Sequence, residues 1–257
     1  MSRSLDIAWE VCRRTWMQTF RRPVLLTFSF AQPLMWMGFF GFLFQRYRLV
    51  ELGGAVSYLD FLAPGVCAMT VLFGASQSGI GWIRDLRTRF LPRMLNTPAS
   101  HHALLLGKIL ADVVRLLAQA VIVLLLALLL GARLSPSWGA VLPAVLCLAF
   151  FAAAFSSLSC ALAFRTRAQE AMAAFVHLVN LPVLFTSTAL VPVRQMPGWL
   201  AAAARWNPLT MTVDAWRGAL LFGEIPSITG QVLPLAVLAA ALYLVAAHEM
   251  RGIGALY

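Results

Sequence analysis

Lys108, Asp112 and Arg115 stand at positions i, i+4 and i+7 of a long apolar stretch. On a helix that spacing puts two cations and a carboxylate on one face, where they can neutralise one another. Inside a membrane, ionisable groups can mark an ion path. Other polar residues within apolar runs include Gln77 and Ser78 in the second and His177 and Asn180 near the middle of the fifth. Hydrogen bonding between helices and a place on a transport path both fit them. A proton- or sodium-driven carrier needs buried carboxylates, and these runs carry few. Gly107-Lys108-Ile109 lacks the upstream Gly and the following hydroxyl of a phosphate loop. His101 and His102 are adjacent, so on a helix they point about 100° apart and do not easily share a metal. Neither a His-Glu-x-x-His nor a Gly-x-Ser-x-Gly pattern is present. Catalysis is not expected of this chain. The energy for any transport is expected to come from outside it.

The elements that must carry these residues are membrane helices. Of 257 residues, 61% are hydrophobic and 12% charged, with a mean hydropathy of +0.80. A soluble domain of that balance could not cover its surface with polar groups. Six apolar segments occur, at about 24–44, 61–83, 109–131, 139–164, 171–193 and 231–248. About 20 residues cross a bilayer as a helix. Backbone groups cannot go unpaired in lipid, so the segments are predicted to be helical. The fold class is therefore an all-α integral membrane protein with six transmembrane helices in one domain. Cys12, Cys67, Cys147 and Cys160 show no metal spacing and read as small buried hydrophobes. The first span is expected to act as its own uncleaved insertion signal.

Charge sets the orientation. With both termini cytoplasmic, twelve Arg fall on the inner side and six on the outer side. The net charge of +10 then reflects topology and anionic lipid headgroups, and nucleic acid is not an expected partner. Residues 4–20 pattern as an amphipathic helix lying in the inner interface, with Leu5, Trp9, Cys12, Trp16 and Phe20 on one face.

The loop from Arg84 to His102 is both basic and apolar. It carries Arg84, Arg87, Arg89 and Arg93 against Asp85, and Ile83, Leu86, Phe90 and Met94 recur at helical spacing. A plain connector needs no such stripe, so a short cytoplasmic docking helix is expected. On the outer side, residues 194–230 hold two short amphipathic stretches. One opens at Pro197-Gly198-Trp199-Leu200. The other starts at Asn207-Pro208, an N-cap followed by Pro at the first helical position. Leu209, Val213, Trp216 and Leu220 form its stripe, Gly223 its C-cap, and Asp214 and Arg217 can pair on its exposed side. The pair of helices can serve as a Trp-rich interfacial anchor or as the cap of a cavity.

These residues resemble a known family. Tyr58-Leu59-Asp60-Phe61-Leu62-Ala63-Pro64-Gly65 looks like the Phe-Leu-x-Pro-Gly start of the second span in the ABC type-2 transporter permeases. Ile83-Arg84-Asp85-Leu86-Arg87, Met94-Leu95-Asn96-Thr97-Pro98-Ala99-Ser100 and Leu106-Gly107-Lys108 follow that family's next run. Leu190-Val191-Pro192, Met196-Pro197-Gly198-Trp199-Leu200 and Asn207-Pro208-Leu209-Thr210, with Asp214 and Arg217, resemble its outer segment. The nearest likeness is to drug-resistance and nodulation-factor exporter permeases. The resemblance implies a homodimer of six-span subunits in a bacterial inner membrane, joined to two copies of a cytoplasmic ATPase that holds ATP and Mg. It implies that the basic loop is the coupling helix, with Arg84, Asp85, Leu86, Arg87, Phe90, Leu91, Arg93, Met94, Leu95 and Pro98 meeting the ATPase. It implies a substrate path between the second and fifth spans, lined by Phe73, Gln77, Asn180, Leu184 and Thr188. Asn207, Pro208, Asp214 and Arg217 would mark the outer helices. Pro92 departs from the family, which has a helix-compatible residue there; Pro removes a backbone donor and can split the docking helix at Leu91.

The function these readings favour is an exporter permease driven by a separate ATPase. The few polar residues at mid-membrane suggest an amphipathic or lipid-linked cargo: drug, lipid or lipo-oligosaccharide. A non-transporting assembly subunit is the alternative, and an ion-coupled carrier comes third.

Overall fold

The computed structural model describes residues 13, 23–44, 56–88 and 101–254. The interfacial helix expected at 4–20, apart from Arg13, and the loop at 89–100 lie outside the described residues.

The described residues are mostly helical. Helix α1 is Pro23–Leu43. Helix α2, Tyr58–Ser76, starts with a capping box: the Asp60 N–H donates to Ser57 Oγ, and the Ser57 N–H donates to the Asp60 carboxylate. Helix α3, Ser78–Arg87, follows after one residue. Helices α4, His101–Leu129, and α5, Trp138–Thr166, are each 29 residues long. The next stretch is broken into α6, Gln169–Phe175, a π-helical turn at Val176–Asn180, and α7, Leu181–Phe185. Outer helices α8, Gly198–Trp206, and α9, Pro208–Arg217, precede a π-helical turn at Gly218–Phe222. A third π-helical turn at Ile228–Val232 leads into α10, Leu233–Gly254.

Among the described residues, four helical runs are long and apolar enough to cross a membrane: Tyr58–Arg87, His101–Leu129, Trp138–Thr166 and Ile228–Gly252. The fifth apolar run, Gln169–Phe185, is shorter. The sequence predicts six spans, and the fifth differs most from expectation. Its helix stops at Phe185 rather than near 193. The cause is local. Thr186 Oγ1 donates to the Pro182 carbonyl at 2.8 Å and Ser187 Oγ to the Leu184 carbonyl at 2.7 Å. Hydroxyls that bond back to the last turn compete with continuation of the helix.

Helix α2 is the centre of the fold and packs against α1, α4, α5 and α9. It is apolar all round because it is buried all round. Gly65 permits a further close approach, of α2 to the turn after α7: a Cβ there would lie 2.2 Å from the Ala189 carbonyl oxygen. Small residues let membrane helices approach at backbone distance. Helix α5 runs along α10 and buries Cys147, Phe151 and Phe164. Outward, α4 exposes Leu106, Leu110, Val114, Val121 and Leu125 at steps of four and seven. An apolar strip of that length suits lipid as its solvent, and water would penalise it.

Candidate functional site

The inner polar cluster lies where α4 meets α2 and α3. Asp112 is buried, 2% exposed. Lys108 Nζ and Ser78 Oγ both donate to its Oδ2. Arg115 Nε stands 3.6 Å from its Oδ1, and Arg115 Nη2 donates to the Gly74 carbonyl at 3.3 Å. The neutralisation expected from the spacing is therefore present, and α4 uses it to hold two other helices. His102, in the first turn of α4, has both ring nitrogens engaged: its Nδ1 lies 3.1 Å from the Tyr243 hydroxyl, and Arg251 Nη2 stands 2.7 Å from its Nε2. Among the described residues no three His, Cys, Asp or Glu side chains gather. Cys67, Cys147 and Cys160 are buried thiols, and Cys12 lies outside the described residues.

The stretch expected to dock is described only at its start. Arg84 and Arg87 occupy the last turn of α3. That end suits basic residues, because helix carbonyls gather negative potential there. Thr88 closes the helix, its N–H and Oγ1 both donating to the Arg84 carbonyl. Asp85 is half-buried, Leu86 packs against the core, and Arg87 is exposed. Ile83, first in the apolar stripe, is buried against Ala163 and Met172. The stripe thus begins as a contact within the subunit. Phe90, Leu91, Pro92, Arg93, Met94, Leu95 and Pro98 lie outside the described residues.

The five residues assigned to a substrate path fall in four places. Phe73 and Gln77 line a cleft bounded by Pro33 and Trp36 of α1 and Gln119 of α4. Asn180 is fully buried on a different face of α2, where its Oδ1 accepts from Ser76 Oγ at 2.9 Å. The Asn180 amide nitrogen has no hydrogen-bond partner. Leu184 is core. Thr188 belongs to an outer polar knot, so the described subunit does not bring the five side chains together. Asn180 also ends the π-helical turn, a distortion that recurs at functional positions in helices.

The outer knot joins α9 to α2 and to the turn after α7. The sequence places Arg217 on the exposed side of α9. The structure corrects this: Arg217 is buried, 7% exposed. Its Nη2 donates to the Phe61 carbonyl at 3.3 Å and to the Thr188 carbonyl at 3.0 Å. Its Nη1 reaches Asp214 Oδ1 at 3.4 Å, and Thr188 Oγ1 donates to the same oxygen at 2.8 Å. The buried cation is affordable because every direction it faces offers an acceptor or a π-face. Burial pulls the Arg217 guanidinium down to about 10, opposed by the charges of Asp214 and Tyr58, so it remains a cation at neutral pH. Asp214 and Arg217 border an outer pocket of about 250 Å³ with Phe222 and Glu224.

Asn207 performs as its residue type predicts, and more. Its Oδ1 accepts from the Leu209 N–H at 2.8 Å, capping α9. Its Nδ2 donates to the Val183 carbonyl at 2.6 Å and to Thr186 Oγ1 at 2.8 Å. Pro208 sits at the first helical position, and Leu209, Val213, Trp216 and Leu220 are buried as the stripe predicts. Gly223 closes the stretch with φ +67°.

Comparison with known proteins agrees with this arrangement. Residues 8–221 match the model of a family described as ABC-2 type transporter. A protein named as the transport permease ycf38 of Cyanophora paradoxa is 32% identical over 208 residues, which are 80% of this chain and 71% of the relative. The daunorubicin resistance ABC transporter permease protein DrrB1 of Streptomyces coeruleorubidus is 30% identical over 200 residues, 76% of this chain and 68% of the relative. Nodulation protein J of Rhizobium leguminosarum bv. trifolii is 28% identical over 195 residues, 74% of this chain and 72% of the relative.

Proposed function

The chain belongs to the ABC-2 type transporter family, so it is a membrane transport subunit that takes its energy from a separate ATPase, and we propose that it is the permease of an exporter for amphipathic or lipid-linked molecules. Two copies form the pathway, each contributing six spans, with two copies of a cytoplasmic ATPase that binds ATP and Mg. Both termini face the cytoplasm of a bacterial inner membrane, and the helices at 194–230 face outward. The ATPase docks on residues 84–98, through Arg84, Asp85, Leu86 and Arg87 and then Phe90, Leu91, Arg93, Met94, Leu95 and Pro98. Phe73, Gln77, Asn180, Leu184 and Thr188 serve the substrate path, and Asn207, Pro208, Asp214 and Arg217 set the outer helices.

The observation that carries this reading is the length and ending of one helical run. Tyr58–Arg87 has 30 residues, about 45 Å at 1.5 Å per residue, against a hydrocarbon core of about 30 Å. One end therefore projects beyond the core. That end carries Arg84 and Arg87 and leads straight into the basic, apolar loop. A relative named for daunorubicin resistance supports a drug-like cargo. A relative named for nodulation leaves the cargo class broader than drugs.

Co-purification with the cognate ATPase tests the reading. Phe90→Asp and Met94→Asp are expected to weaken ATPase binding and to abolish its stimulation by the permease, with the membrane fold intact. Unchanged binding and stimulation in both variants would place the docking surface elsewhere.

A further inference from the structure

The run Tyr58–Arg87 is not one continuous helix. Helix α2 ends at Ser76 and α3 begins at Ser78, with Gln77 between them at φ −88°, ψ −4°. A helix interrupted in this way frees backbone groups that the ladder otherwise pairs. Neighbouring helices take them. The Ser76 carbonyl accepts from Ser159 Oγ at 2.6 Å, and the Gly79 N–H donates to the same Oγ at 2.9 Å. One hydroxyl of α5 thus bonds to both sides of the break. The Gly74 carbonyl accepts from Arg115 of α4, and the Ser78 hydroxyl donates to Asp112. In an unbroken helix, the Gly74 carbonyl, the Ser76 carbonyl and the Gly79 N–H would all pair within the ladder.

The two sides of the break are held differently. Residues 60–72 of α2 are buried without interruption, whereas in α3 Ile80, Gly81, Arg84, Asp85 and Leu86 are half-buried and Arg87 is exposed. Gly79 lets α3 lie on α5 at backbone distance: a Cβ there would meet the Ser159 carbonyl oxygen at 2.3 Å. Residues 60–72 of α2 are thus enclosed on all sides, whereas α3 is covered on one face only, where Gly79, Trp82 and Ile83 pack on α5 and α6. Hinges of this kind absorb a backbone change at one or two residues while the flanking segments move as units.

We infer that Gln77 is a hinge in the run Tyr58–Arg87, and that Ser159 is the positioning residue that clasps its two sides, so that α3 moves with the cytoplasmic loop while α2 stays in place. This rests on the permease reading, because it assigns the movement of α3 to ATPase binding at 84–98. Ser159 touches no substrate; it acts through the backbone of residues 76 and 79.

Spin-label distances in the full permease–ATPase complex, in lipid nanodiscs, test the inference. One label pair is T88C with T166C, at the ends of α3 and α5. The other is V56C with W138C, at the opposite ends of α2 and α5. Nucleotide binding is expected to shift the first distance by several ångströms and to leave the second in place. In Ser159→Ala the first distribution is expected to broaden without nucleotide, and substrate moved per ATP to fall about five-fold or more, with basal ATP hydrolysis retained. If that variant does not assemble, the nucleotide comparison with Ser159 intact decides alone. The hinge is overturned if both distances shift together, or if neither responds while the ATPase is bound and stimulated. If no complex forms with the ATPase at all, the permease reading falls, and the hinge with it.

Discussion

The Arg217 guanidinium carbon lies 3.6 Å from the centre of the Phe61 ring, and the same guanidinium donates to the Phe61 backbone carbonyl. One side chain of an outer helix thus grips both the ring and the backbone of the central helix. The grip explains how a cation can be buried beside a membrane, and it sets the position of the whole outer segment.

Arg217→Met is expected to destabilise the fold by about 2–4 kcal/mol, since it strands the Phe61 and Thr188 carbonyls in a buried site. Arg217→Lys is expected to recover little. An ammonium cannot stack flat on the ring while reaching two carbonyls and a carboxylate. Thermal unfolding in lipid nanodiscs reads both, and a Lys variant as stable as wild type would show that charge alone suffices.

Gly65→Ala places a methyl 2.2 Å from the Ala189 carbonyl oxygen, a backbone atom that cannot rotate away. The expected loss is about 2 kcal/mol or more from overpacking. Gly38→Ala meets nothing within 4 Å, so it is expected to stay within about 0.5 kcal/mol of wild type. Equal melting temperatures for the two variants would contradict the close approach of α2 to that turn.

Asn207 offers a separation of two roles. Asn207→Ala loses the cap and both Nδ2 bonds, for about 1–2 kcal/mol or somewhat more. Asn207→Asp keeps the cap acceptor to Leu209 but loses the donors to Val183 and Thr186. It is expected to fall between Ala and wild type. If Asp matches Ala, the cap contributes nothing beyond the tie to the fifth span.

At the inner cluster, removing the shared carboxylate should hurt more than removing one cation. Asp112→Leu leaves Lys108 and Arg115 facing each other at the edge of a buried site, for about 3 kcal/mol. Lys108→Met leaves Asp112 with Arg115 and Ser78, and is expected to cost at least about 1 kcal/mol less than Asp112→Leu. The order of the two melting temperatures checks this, and the reverse order would contradict Asp112 as the hub.

The sequence made the outer helices legible in detail, because Asn207-Pro208, Gly223 and the stripe between them are local signals. The charged triad of α4 was legible for the same reason: i, i+4 and i+7 determine a face whatever the fold. Three features were not. Arg217 pairs with Asp214 as its spacing allows, but its burial depends on Phe61, 156 positions away. The break at Gln77 has no Pro to announce it; it depends on Ser159 and on glycines that matter only once α5 is beside them. The early end of the fifth helix depends on hydroxyls at Thr186 and Ser187, which in an apolar run read as ordinary span residues. Local pattern finds faces and caps, while partners that are distant in sequence decide which polar groups are buried.

The most direct measurement of the central claim is a site-specific photocrosslink in the assembled complex. A photoreactive residue at Arg87, the exposed last residue of α3, is expected to capture the ATPase. One at Trp138, exposed at the far end of the bundle, is expected to capture none. Capture from Trp138 and not from Arg87 would contradict both the orientation and the docking surface.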